Sequence, residues 1–123
     1  MSLKIARTDH EWPPVIAIDG VLTAGTAGAC LDQIADRFED SFVVDLSGVY
    51  ACDPAGATAL VDLQTKVSRR GGRCVFAALS YPVARALRTT GLGRLVSISS
   101  TASIARRRLA TARPTGTAGS DVT

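Results

Sequence analysis

The chain has 123 residues, 46% hydrophobic and 20% charged, so it carries enough apolar material for one compact domain and is too short for two. Fourteen Lys and Arg against eleven Asp and Glu leave a formal charge of +3, without the long basic runs of a dedicated nucleic-acid binder. No apolar stretch approaches the roughly 20 residues of a membrane span, and Lys4, Arg7 and Asp9 stand where a signal peptide would have its apolar core, which points to a cytoplasmic protein without membrane insertion.

Leu3, Ile5 and Arg7 alternate as in a half-exposed strand, and after the Pro13-Pro14 break Val15 to Ile18 reads as a second strand closed by Asp19-Gly20. The two are expected to pair as a hairpin at one side of a sheet. From Thr23 the period changes: Ala27, Leu31, Ile34, Ala35 and Phe38 fall on one face of an amphipathic helix, with Asp32, Asp36, Arg37 and Glu39 outside the stripe. Phe42-Val43-Val44-Asp45-Leu46 is a short apolar run between helices, the pattern of a central parallel strand buried on both faces.

Asp53-Pro54-Ala55-Gly56 then starts a second helix. Asp can cap free backbone amides, Pro at the first helical position loses no hydrogen bond, and Ala57, Leu60, Leu63 and Val67 supply an apolar stripe. That helix ends in Arg69-Arg70-Gly71-Gly72, cations near its negative terminus followed by glycine for a left-handed exit. Arg73 to Leu79 gives the next strand, Pro82 to Thr90 a short helix closed by Gly91, and Leu95 to Ser99 an edge-like strand. Ala102, Ala105, Leu109 and Ala112 mark a last helix, on which Arg106-Arg107-Arg108 form either an ordinary solvated face or an electrostatic patch for an acidic partner or nucleic acid, and Trp12 is expected to act as a lid over the end of the sheet. The fold class is therefore α/β: a single domain over residues 1–112 with an about five-stranded mixed sheet and about four helices. Residues 113–123, with Val122 their sole aliphatic anchor, are expected to form a flexible tail.

Cys30, Cys52 and Cys74 form no CxxC, and His10 is the lone histidine, so neither a disulfide scaffold nor a metal site can be assembled. The absence of a Ser/His/Asp or Cys/His grouping points to a protein without catalytic activity or cofactor, leaving only carboxylate chemistry open. Cys52 follows one parallel strand and Cys74 begins the next, which puts them at opposite sheet ends, roughly 15 to 20 Å apart for strands of ordinary length and too far to bridge. Cys30 and Cys74 read as core packing. Cys52, beside the Asp53 loop, is either the same or a redox-sensitive thiol.

The stretch from Phe42 to Gly93 resembles the STAS domain, the fold shared by bacterial anti-sigma factor antagonists and the cytoplasmic tails of sulfate transporters. Val43-Val44-Asp45-Leu46-Ser47-Gly48-Val49 looks like the family's apolar-Asp-Leu-Ser strand, and Asp53-Pro54-Ala55-Gly56 stands where it has Asp-Ser-Ser/Thr-Gly. Arg70-Gly71-Gly72-Arg73, Thr90-Gly91-Leu92 and Gly20-Val21-Leu22-Thr23 are similar to three further family turns, in order and over roughly residues 13 to 112. The resemblance implies a regulatory binding protein in transcription whose partner is an anti-sigma factor, typically of the histidine-kinase-like ATPase fold. Contact is then expected through the loop and start of the second helix: Asp53, Pro54, Ala55, Gly56, Ala57 and Thr58, with Ala55, Gly56 and Ala57 as a flat docking surface. Many members are switched off by phosphorylation of a hydroxyl in that loop. Here Pro54 and Ala55 occupy both acceptor positions, so the phosphoacceptor is lost, and Thr58 is the nearest surviving hydroxyl. Thr23 departs from the family's Gly-Glu-Leu-Asp loop as well. The alternative role that the family implies is a STAS subunit of a membrane transport complex for lipids or anions.

Overall fold

Residues 3–9, 12–37 and 41–111 are described by the structure, a computed structural model. The alternation at the start produces β1 (Leu3–Asp9), which runs antiparallel to β2 (Val15–Leu22) with Ile5 opposite Ile18, the hairpin that the sequence leads one to expect. β3 (Ser41–Cys52), β4 (Arg73–Ala77) and β5 (Ile98–Ser99) follow in parallel, giving the sheet order β1-β2-β3-β4-β5. The parallel crossovers are made by α1 (Ala27–Arg37), α2 (Pro54–Arg69) and α3 (Tyr81–Thr90), and α4 (Ala102–Thr111) closes the described part of the chain.

Period two along β3 decides the layering. Phe42, Val44 and Leu46 lie with Ile16 and Ile18 in the larger core, against Ile34 of α1, Leu60, Leu63 and Val67 of α2, and Val83 and Leu87 of α3. Val43 points the other way and meets Val15, Val75, Ala77, Ala105 and Leu109, so among the described helices α4 covers the second face. Both faces of the central strands are thus buried, which is why Phe42 to Leu46 reads as an unbroken apolar run. Each such side chain contributes about 1.5–3 kcal/mol through burial.

Local backbone chemistry sets the element ends. Pro54 opens α2, Gly71 leaves it at φ 84°, and Gly91 ends α3 at φ 73° in the left-handed region. β4 stops at Ala77, short of Leu79, because Ala78 takes a positive φ of 54°. The edge strand is also shorter than its pattern: Leu92–Leu95 is a 3₁₀ turn, and the side-chain amide of Gln64 donates to the Leu95 carbonyl (2.7 Å) and accepts from the Ser97 amide (2.6 Å). Those two backbone groups are therefore satisfied by a side chain instead of a ladder.

β3, by contrast, runs well past Leu46, out to Cys52. Its pairing with β2 slips between Ala17 and Asp19, where Gly48 lets the Asp19 side chain lie across the strand; a Cβ on Gly48 would stand 1.6 Å from Asp19 Oδ1. A strand glycine here marks a close approach and not an end. Cys74 pairs beside Phe42, so Cys52 lies ten positions farther along the sheet, roughly 30 Å away and beyond the expected separation; all three cysteines are free.

Two further readings change. Arg106 Nε donates to the Pro13 carbonyl (3.0 Å), and Arg108 donates to the Ile98 carbonyl (3.0 Å) and Ser99 Oγ (2.6 Å), so of the three arginines only Arg107 keeps to a plain solvated role. Arg108 thereby occupies the outward carbonyl of the edge strand, a group open edges leave available for unwanted pairing. Trp12 is half-buried and lines a cleft with Pro13 and with Ser103 and Arg106 of α4. Phe38 of the expected first-helix stripe and the expected tail, residues 113–123, lie outside the described residues.

Candidate functional site

The carboxyl ends of β2 and β3 and the start of α2 meet at one end of the sheet, where open α/β folds place their sites. Asp53 organises the meeting. Its backbone is extended (φ −105°, ψ 178°), one carboxylate oxygen accepts from the Gly56 amide at 2.8 Å, and the other accepts from the Ala24 amide at 3.3 Å. Its own amide donates to the Leu22 carbonyl at 3.3 Å. One side chain therefore caps α2 and ties it to the loop after β2. That loop is closed in turn by Thr26, whose hydroxyl donates to the Val21 carbonyl (2.6 Å) and accepts from the Thr23 amide (3.1 Å).

Gly56 is the second fixed point. A Cβ there would lie 2.0 Å from the Leu22 carbonyl oxygen and 3.1 Å from Cys52 Sγ, so α2 can seat against the end of β2 only with glycine at this position. Ala57 faces the core at 0% exposure. Gly56 and Ala57 are accordingly not part of a docking surface, a correction to the flat Ala55-Gly56-Ala57 face. The apolar stripe that contains Ala57 turns it inward, and Gly56 is spent on helix packing. Pro54, Ala55 and Thr58 are exposed, Asp53 is partly so, and Ala24 and Gly25 stand beside them on the neighbouring loop. The Thr58 hydroxyl donates to the Pro54 carbonyl at 3.0 Å, the back-bond common to a Thr within a helix.

Cys52 sits behind this surface. Burial first, and the charge of Asp53 second, push its thiol up to about 11, and its Sγ lies 3.6 Å from the Asp53 carbonyl. A thiol held protonated is a poor nucleophile and a slow redox partner. Cys74 is buried and pushed up by desolvation alone, in keeping with core packing.

Sequence reasoning missed the wall opposite Pro54. One face of α3 stands across a groove of about 330 Å³ between Cys52 and Pro54 on one side and Tyr81, Pro82, Arg85 and Thr89 on the other. Tyr81 is 69% exposed. The signal was present, since Tyr81, Arg85 and Thr89 recur at i, i+4 and i+8 outside the buried positions Val83, Ala86 and Leu87, but it becomes a site only once α3 packs beside α2. Among the described residues, no three His, Cys, Asp or Glu side chains come close enough to hold a metal ion, and no helix is long and apolar enough to cross a membrane.

A family model described as the STAS domain matches residues 4–105. Among solved structures, the crystal structure of TM1081 from Thermotoga maritima, a candidate anti-sigma factor antagonist, superposes with a TM-score of 0.70 at 22% identity, covering 88% of this chain and 94% of that one. The NMR structure of TM1081 gives a TM-score of 0.62 at 23% identity over 87% of this chain and 95% of the other. The anti-sigma factor antagonist SpoIIAA in its unphosphorylated form gives 0.58 at 13% identity, covering 89% of this chain and 97% of that one. At these identities the likeness is one of fold. A search of curated protein sequences finds no match.

Proposed function

This chain belongs to the STAS domain family, and we propose that within it the chain is a non-catalytic, cytoplasmic regulatory binding protein of the anti-sigma factor antagonist type. Its partner is an anti-sigma factor of the histidine-kinase-like ATPase fold, bound through Pro54, Ala55 and Thr58 with Asp53 as the scaffold behind them. One observation carries the reading: Asp53 and Gly56 fix the start of α2 rigidly at the carboxyl edge of the sheet while the three residues around them face outward. A preorganised surface of small side chains loses little entropy on docking. The loop has no hydroxyl at positions 54 and 55, and the nearby Thr58 hydroxyl is engaged by the Pro54 carbonyl. Binding is then constitutive or set by another input than phosphorylation.

Calorimetry against an ATPase-type anti-sigma factor from the same genome tests this. Thr58→Arg adds bulk and charge at an exposed position and is expected to weaken binding about 100-fold or more, the effect of disrupting the centre of an interface, with an unchanged melting temperature; wild-type affinity in that variant refutes the surface. Ala57→Arg cannot serve, because it would bury a charge in the core. For the switch, incubation with the partner and magnesium ATP followed by intact-mass spectrometry should add no phosphate to the wild type and one to Ala55→Ser. Ala55→Asp should fold normally, since a carboxylate in the first helical turn is favourable by about 0.3–1 kcal/mol, and should bind less well.

A further inference from the structure

We infer that the groove between α3 and the junction of β3 with α2 takes an acidic segment of the partner protein anchored by an aliphatic side chain, an inference that rests on the partner's docking at this end of the sheet. Much of the wall is apolar: Pro54 on one side, Tyr81 and Pro82 on the other, with about 330 Å³ between them, room for an aliphatic side chain or two. The α3 wall is cationic. Arg85 lines the groove, Arg88 follows one turn later on the same helix, and Arg94 lies with Arg88 along a second cleft, while α3 contains no acidic residue.

Arg85, Arg88 and Arg94 are all exposed, and none has a carboxylate partner among the described residues. Asp53, next to the lining residues Cys52 and Pro54, already accepts from two amides and is directed into the loop. Tyr81 and Arg85 are i, i+4 neighbours, so an aromatic ring and a guanidinium share one helix face. Tyr and Arg beside an apolar wall are the residue types that dominate binding energy at protein interfaces, and a guanidinium fork matches a carboxylate bidentately. Nucleic acid fits less well: its phosphates would need a longer cationic track, and Pro54 and Pro82 offer no base-stacking surface.

A peptide probe tests the groove without the anti-sigma factor. Isotope-labelled protein is titrated with a short peptide of alternating Glu and Leu, a Lys/Leu peptide and a Glu/Ser peptide, and backbone amide shifts are followed by NMR. The Glu/Leu peptide is expected to move Tyr81, Arg85, Thr89 and Cys52, with affinity reduced about tenfold by Arg85→Glu, as for loss of a charge pair, and by Tyr81→Ala as well. The Lys/Leu peptide should leave them unmoved, and the Glu/Ser peptide should bind more weakly. Overturning results are no shift at those residues, shifts centred on Arg69, Arg73 or Arg107, equal binding of the Lys/Leu peptide, or an Arg85→Glu variant that binds as wild type. Peripheral amides unshifted by either variant report that the fold is intact. Failure here with Thr58→Arg still blocking the whole anti-sigma factor would remove the groove and leave the docking surface, and the reverse pattern would do the opposite.

Discussion

Gly56→Ala isolates the contact that seats α2. The added Cβ would stand 2.0 Å from the Leu22 carbonyl oxygen and 2.9 Å from its carbon, and relieving this to a carbon–oxygen contact of about 3.3 Å requires about 1.3 Å of movement. Neither side gives easily. Leu22 is fully buried at the end of β2 and its carbonyl accepts from the Asp53 amide, while Cys52 Sγ at 3.1 Å blocks a sideways shift of the helix. Backing α2 away stretches both bonds to the Asp53 carboxylate, worth about 1–2 kcal/mol as a cap, and overpacking adds about 1–3 kcal/mol. Alanine recovers about 1 kcal/mol of helix propensity. The net loss is about 1–4 kcal/mol, or a fall in melting temperature on the order of 10 °C for a domain of this size. Gly28→Ala is the internal control: Gly28 lies exposed in α1 with nothing within 4 Å of its Cβ position, so the same substitution should stabilise by about 0.5–1 kcal/mol. Urea denaturation followed by far-ultraviolet circular dichroism reads both midpoints. If Gly56→Ala lies within about 0.5 kcal/mol of wild type, or shares the sign of Gly28→Ala, the close approach does not govern the seating of α2, a difference well inside the resolution of single-substitution data.

Ser80 precedes α3 as its N-cap, but its side chain makes no capping bond and its Oγ is buried without a partner among the described residues; Ser80→Ala should therefore be neutral or stabilising by up to about 1 kcal/mol in the same assay, where an ordinary Ser cap would cost that much to lose. At pH 8 the Cys52 thiol, pushed up to about 11, should be alkylated by iodoacetamide roughly 200-fold more slowly than a free thiol of ordinary acidity, and the rate should climb about tenfold per pH unit from 7 to 9; a plateau in that range by mass spectrometry would contradict the burial of this thiol. The same raised thiols give the sign of alkaline destabilisation: Cys52 and Cys74 stay protonated in the fold and ionise in the unfolded chain, so stability should fall as pH rises above about 9.

What was legible in the chain follows from how local each cause is. Asp53, Pro54, Gly71 and Gly91 act on their own backbone within a turn, and the limits of α2 and α3 follow from them. The extension of β3 to Cys52 depends on Gly48 making room for Asp19 of the neighbouring strand, a contact invisible in either segment alone. Ala57 shows a different limit, because a helix position cannot serve both the apolar stripe and an outward surface, and its burial settles which role it has. The same division runs through the whole loop. Asp53 and Gly56 are fixed by the geometry that joins β2, β3 and α2, so their side-chain types are dictated by the fold and would be so with any partner. Pro54, Ala55 and Thr58 bear none of that packing, since they are exposed and Thr58 bonds only within its own helix. Substitution at these outward positions is therefore expected to leave stability almost untouched, and whether one of them carries a hydroxyl is a part of the loop that the fold does not dictate.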